Sequence, residues 1–242
     1  MQLIISPSKK MQINQDDFEV FDQPYYQDQS NYLRDVLRKM DFAELKKLWQ
    51  VSDKLVSAGI EDLKRLDYAQ GLTPAIMAYT GLQYQAIGAD LLTQAQLDYL
   101  QDHLWILSAF YGALRPFDGV QPHRLDMKDS LNGEKMYDFW GERLADLVAE
   151  NGPVINLASD EYAKSVQPYL EAKNFITIAF KEKNSNGKYV TKATNAKRAR
   201  GYFVRWCAEE GISDVTQLRN FDLVGWTYNS ELSQDNLLTF IK

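Results

Sequence analysis

Four short apolar runs govern what this chain can fold into: residues 2–5 (QLII), 104–107 (LWIL), 154–157 (VINL) and 175–180 (FITIAF). Each has the length of a buried strand, and each is set apart from the next by segments whose apolar residues recur at helical spacing. Residues 104–107 read as a central strand, with a continuation of the preceding helix as the alternative. Strands alternating with helices, followed by strands that pair locally, define a mixed α/β class with short central strands surrounded by helices. Nothing else has to staple such a core. The 242 residues are 45% hydrophobic, and the single cysteine, Cys207, excludes a disulfide framework and a multi-cysteine metal site. No apolar run approaches the ~18 residues of a membrane span, and MQLIISPSKK lacks the apolar stretch of a signal peptide. The expectation is one soluble domain over 1–242, from a reducing compartment, with no membrane partner.

The intervening segments can be placed. Residues 30–67 are helical, with Leu33, Val36, Leu37 and Met40, then Leu45, Leu48 and Trp49, on the inner faces. Thr73-Pro74 starts a helix that Gly81 stops, because proline suits the first helical turn. Thr93 caps a helix over 94–103. Residues 109–133, rich in Gly, Pro, Arg and Asp, read as a long ordered loop with helical turns. Helices follow at 137–150, 161–170 and 195–209. The turn Asn184-Ser185-Asn186-Gly187 joins residues 175–180 to 189–191 as a hairpin. Residues 222–242 form a closing C-terminal hairpin.

Charge is uneven. Between Lys181 and Trp206 eight basic residues face one acid, a local +7 in a chain of net −6, so the rest carries −13. Such asymmetry points either to a local anionic partner or to a solvated hairpin and helix face. Cofactor motifs are missing: there is no GxGxxG, no GxxxxGK[ST] and no HExxH, and two histidines cannot make a three-histidine zinc site. No metal or cofactor is expected. His103 reads as a packed helix-end residue and Cys207 as a buried, inert thiol.

Chemistry concentrates at strand ends, where α/β sheets assemble their sites. Ser6-Pro7-Ser8-Lys9 follows the first strand and Ser159-Asp160-Glu161 follows the third. A lysine there grips phosphate or, with a lowered pKa, acts as a nucleophile; the two acids serve as site carboxylates or as helix caps. The stretch SAFYGALRPFDGVQPHRLDM (108–127) carries Arg115, Arg124 and glycines that would let backbone amides approach a phosphate. Its FYGALR core resembles the turn of a helix-hairpin-helix. The alternative is a tightly packed Ω-loop in which Arg115 pairs with Asp118 or Asp126.

ISPSKK, LSAFYGALRPFDGVQPHRLDM, YDFWG (137–141), INLASDEYAKSV (155–166), KRARG (197–201) and the GWTYNSELS region occur in order along the whole chain. Together they resemble the YaaA family of peroxide-stress-response proteins. This chain has Lys9-Lys10 where other members often have Lys-Thr, and His123 where a tyrosine is common. The resemblance implies a cytosolic bacterial protein with a family-specific mixed α/β fold. It also implies duplex DNA binding through a basic cleft and a helix-hairpin-helix element, and a role in limiting damage from peroxide and intracellular iron. Any effect on iron would be indirect, since no iron-storing ligand set is present.

Two functions are carried forward. In the first, duplex DNA is held through its phosphates with little base specificity. Lys181, Lys183, Lys188, Lys197, Arg198 and Arg200 form the electrostatic surface, Gly112 and Arg115 hold phosphate at the hairpin, and Lys9, Arg124 and Lys164 contribute. In the second, the protein is an enzyme acting on a nucleotide, nucleobase or damaged DNA site, with Lys9, Asp160 and Glu161 as catalytic candidates. Binding needs fewer geometric coincidences than catalysis and is preferred; the oligomeric state is not legible.

Overall fold

The computed structural model describes residues 1–14 and 18–242. The apolar runs are strands. In chain order the main sheet contains β1 (Gln2–Ile5), β2 (Leu104–Ser108), β3 (Gly112–Leu114), β4 (Val154–Asn156), β5 (Phe175–Lys183), β6 (Tyr189–Val190), β7 (Thr227–Tyr228) and β8 (Leu237–Ile241). Spatially the order is β7-β8-β5-β4-β1-β2-β3, with β6 paired to β5. The five strands β8, β5, β4, β1 and β2 are mutually parallel, while β7 and β3 close the two edges antiparallel. Register is set by pairs such as Leu3 with Leu104, Leu3 with Ile155 and Val154 with Phe175. Leu3, Ile4 and Ile5 are fully buried, as central parallel strands covered on both faces require.

The covering helices are α1 (Gln27–Lys39), α2 (Phe42–Trp49), α3 (Asp53–Arg65), α4 (Leu82–Ile87), α5 (Gln94–His103), α6 (Arg143–Ala149) and α7 (Ala193–Glu209). The α5 start is a capping box between Thr93 and Gln96, the expected cap with a reciprocal partner. One cluster of buried apolar side chains runs from Leu3 to Phe240. At its C-terminal end Phe180, Phe203, Phe221, Trp226 and Phe240 stack edge and face, binding α7 and the terminal hairpin to β5.

The structure departs from the sequence expectations where tertiary pairing overrides local pattern. Thr73–Pro74 does not open a long helix but pairs with Gly119–Val120, leaving one helical turn at Ala75–Ala78. Tyr79–Thr80 then pairs with Lys10–Met11. The helix over 137–150 is broken at Gly141, which adopts φ +52°, and that over 161–170 shrinks to a turn at Asp160–Ala163 followed by a 3-10 turn at Gln167–Tyr169. Within 109–133 lies β3. The FYGALR segment therefore turns between two antiparallel strands, β2 and β3, rather than between two helices. Among the described residues no helix is long and apolar enough to cross a membrane.

Candidate functional site: a cationic cleft at the carboxyl edge of the sheet

Because β1, β2 and β4 are parallel, the loops that leave them emerge on one edge. The chain moves outward from β1 to β2 on one side and to β4 on the other, which opens a crevice between the departing loops. A cleft of about 560 Å³ occupies that position. Ser6 to Lys10 come from the end of β1, Ser108 from the end of β2, and Ser159 and Glu161 from the end of β4. Tyr79 and Gln83, His123 to Asp126, and Lys197 with Arg200 on α7 complete the walls.

The cleft is lined by five cations, Lys9, Lys10, Arg124, Lys197 and Arg200, and two carboxylates, Asp126 and Glu161. That net +3 sits on a chain of net −6. Lys9 Nζ donates to Asp126 Oδ2 at 2.8 Å, and this hydrogen bond lifts the lysine pKa above its ordinary value. The effect is opposite to what a lysine nucleophile needs. Arg124, Lys197 and Arg200 make no ion pair among the described residues. Burial draws the Arg200 pKa down, and its Nε is buried without a hydrogen-bond partner.

The inner wall is neutral and aromatic. Tyr84 donates its hydroxyl proton to the Ser6 carbonyl at 2.9 Å. The Ser159 amide donates to Ser6 Oγ at 2.8 Å, and Ser6 Oγ–H donates to Ser159 Oγ at 3.1 Å, which lock the β1 and β4 loops together. His123 Nδ1 lies 3.0 Å from the Gln121 carbonyl and must donate to it, leaving Nε2 as an acceptor 3.4 Å from Ser108 Oγ. Burial pushes the His123 pKa down to about 4, so the ring is neutral near pH 7. Ser108 Oγ also accepts from the amides of Phe110 and Tyr111 and so shapes the turn after β2. Two further side chains are left wanting: Gln83, 8% exposed, with an unpartnered Nε2, and Tyr79, 2% exposed, whose hydroxyl makes no hydrogen bond of normal geometry. Burial raises the Tyr79 pKa, with the nearby Ser108 hydroxyl pulling the other way. An unsatisfied buried polar group costs about 1–3 kcal/mol, and two of them, Gln83 Nε2 and Arg200 Nε, belong to residues lining this cleft.

Of the residues expected at a site, Lys9, Arg124, Glu161, Lys197 and Arg200 meet in this cleft. Asp160 and Lys164 are exposed and lie outside its lining, as does Arg198. Lys181, Lys183 and Lys188 belong to the β5–β6 hairpin. That hairpin leaves the sheet at the same carboxyl edge, since Thr177 is level with Asn156 and six residues more reach Lys183, ~20 Å along a strand. Within the basic segment Lys192 pairs with Glu182 and Arg205 with Glu209, and the other six cations make no ion pair among the described residues.

Gly112 and Arg115 are corrections. Gly112 adopts φ +84° beneath Tyr26 and Trp140, where a Cβ would come within 2.8 and 2.9 Å of their rings, so no phosphate reaches it. Arg115 lies at the opposite, amino edge of the sheet. Its guanidinium stacks 3.6 Å from the centroid of the Trp105 ring and donates to Gln2 Oε1 at 3.0 Å and to the Asp102 and Leu104 carbonyls. Asp118 does contact Arg115, but through the backbone amide, at 2.8 Å. Sequence reasoning missed Tyr79, Gln83, Ser108 and the neutral role of His123. The local signal for the first two was Gly81, read only as a helix stop. Among the described residues no cluster of His, Cys, Asp or Glu could hold a metal ion.

A family model described as peroxide stress protein YaaA matches residues 1–232. The chain is also similar to UPF0246 proteins of several bacteria. It is 45% identical over 246 residues to that of Lacticaseibacillus paracasei, spanning 100% of this chain and 99% of the relative. The corresponding figures are 44%, 100% and 99% for Lactiplantibacillus plantarum, and 38%, 100% and 96% for Lachnoclostridium phytofermentans.

Proposed function

The chain belongs to the peroxide stress protein YaaA family, and on that premise we propose that it acts in the cytoplasm under peroxide stress by binding duplex DNA through phosphates at the carboxyl-edge cleft. The observation that carries this reading is the part-buried Arg200 guanidinium, whose Nε has no hydrogen-bond partner and which makes no ion pair among the described residues, lining with Lys197 and Arg124 a cleft of net +3. A desolvated cation without a partner is costly, and an incoming anion repays it. Polyanionic DNA supplies such anions in a row, and the exposed lysines of the β5–β6 hairpin stand at the same edge to continue the contact. Phosphate contacts of this kind position a duplex without reading its sequence. Protection against iron-dependent damage would then come from covering DNA, without any metal held by the protein. The turn between β2 and β3 has no part in this reading.

Fluorescence anisotropy on two duplexes of unrelated sequence, over a salt series, tests it. Both affinities should fall together as salt rises. Lys197→Gln and Arg124→Gln should each lower the log–log slope by roughly one unit. Arg115→Gln should lower the melting temperature and leave the slope alone, because its donors are spent on carbonyl oxygens at the far edge. Failure to bind either duplex at low salt, or slopes untouched by both cleft variants, would remove the reading.

A further inference from the structure

Building on the DNA-binding reading, we infer that the inner end of the cleft receives the base of a single unstacked nucleotide, whose phosphate stays at the cationic mouth. About 560 Å³ lies within the ~300–1,000 Å³ range of small-ligand pockets. One nucleotide fits that space; a stacked base pair with both backbones does not. The duplex backbone can therefore engage only the rim, and whatever enters further has left the stack.

The chemistry of the two ends differs in the sense a nucleotide requires. Lys9 and Lys197 are exposed at the mouth, where a phosphate keeps part of its hydration. Further in, Tyr79, Tyr84 and His123 present rings, with centroids 5.6 Å apart for the tyrosines and 6.3 Å between Tyr79 and His123. A π-face suits such a wall, as it does where enzymes and single-strand binders hold extruded bases. Gln83, Tyr79 and Arg200 line the same space, and two donors there, Gln83 Nε2 and Arg200 Nε, are buried without a hydrogen-bond partner among the described residues. Base edges offer ring nitrogens and carbonyl oxygens as acceptors, and a glutamine amide can both donate to and accept from such an edge. A bare sugar-phosphate would leave the inner donors unsatisfied.

Calorimetric titration of the intact protein with the four nucleoside 5′-monophosphates and with ribose 5-phosphate decides the matter, with plain-duplex binding measured in parallel. At least one monophosphate should bind at least tenfold more tightly than ribose 5-phosphate. Tyr79→Phe and Gln83→Met should each cut that preference at least fivefold while leaving ribose 5-phosphate affinity unchanged. Gln83→Met, which removes the unpartnered Nε2, should not lower the melting temperature; Tyr79→Phe gives up its contact with the Ser108 hydroxyl and is read by the ligand preference. Lys197→Gln should weaken both ligand types alike. Ribose 5-phosphate binding as tightly as every monophosphate, or no monophosphate binding at millimolar concentration, overturns the base pocket. If duplex binding persists in that case, the DNA-binding reading stands alone; if it too is absent, both are lost.

Discussion

Asp118 is 4% exposed and lies near a second carboxylate, Asp22, with the Arg115 amide as its hydrogen-bond donor. Burial first, then Asp22, pushes its pKa from 3.8 up to about 7, against the opposing pull of that amide. A carboxyl whose pKa rises on folding contributes stability that is complete below pH ~4 and is lost as pH climbs through 7. His123 works in the opposite sense: with its pKa depressed to about 4, its contribution is present above its ordinary 6.5 and is lost as pH falls. Asp118→Asn isolates the first effect, because an amide oxygen still accepts from the Arg115 backbone while the charge is gone. Thermal melts should show the variant gaining over its parent at pH 8 by on the order of 2–4 kcal/mol, and gaining far less at pH 5. An equal gain at both values would mean that the carboxyl is not the titrating group.

The site depends on how closely α4 and α7 cross. A Cβ added to Gly201 would lie 2.2 Å from the Gln83 carbonyl oxygen and 2.7 Å from the Ala86 methyl. Backbone cannot yield as a flexible side chain does, so the two helices meet only because residue 201 has no side chain. That contact sets Gln83 against the turn of α7 that carries Lys197 and Arg200. Gly201→Ala should force the helices apart at a cost of about 1–3 kcal/mol. At this chain length that is a melting-temperature loss of roughly 2–12 °C. Ligand affinity should fall as well, although residue 201 lies outside the cleft lining. A variant that melts and binds like its parent would show that the crossing is not constrained.

For the whole molecule, the cysteine reports on cooperativity. Cys207 is fully buried and its thiol pKa is raised well above the usual value by burial, which disfavours the thiolate that would attack peroxide. Labelling followed by mass spectrometry should find Cys207 modified by peroxide or by a thiol reagent no faster than the folded protein opens globally, and promptly in denaturant. Rapid oxidation of the folded protein would instead make it a sensor. The mixed α/β class, the four apolar strands, the hairpin at Asn184–Gly187 and, of the cleft's cations, Lys9, Arg124, Lys197 and Arg200 but not Lys10 were legible in the sequence alone. Hydrophobic period, turn chemistry and charge are local quantities; Lys9, Glu161, Lys197 and Arg200 sit near the ends of elements those quantities define, and Arg124 lies in the loop they leave between elements. The strand order, the partners of Arg115 and the aromatic lid over Gly112 did not follow. A glycine poised for phosphate and a glycine pressed under two rings have the same sequence signature. Arg115 and Arg124 lie nine residues apart, yet β3 carries Arg115 to the amino edge and residues 116–123 bring the chain back to Arg124 at the carboxyl edge. Tyr79 and Gln83 became site residues only because Tyr79–Thr80 pairs with Lys10–Met11, a contact 70 residues apart in sequence between Lys10 and Thr80. No window short enough to show a period contains that pairing, and it is long-range packing that decides which polar atoms are left without partners.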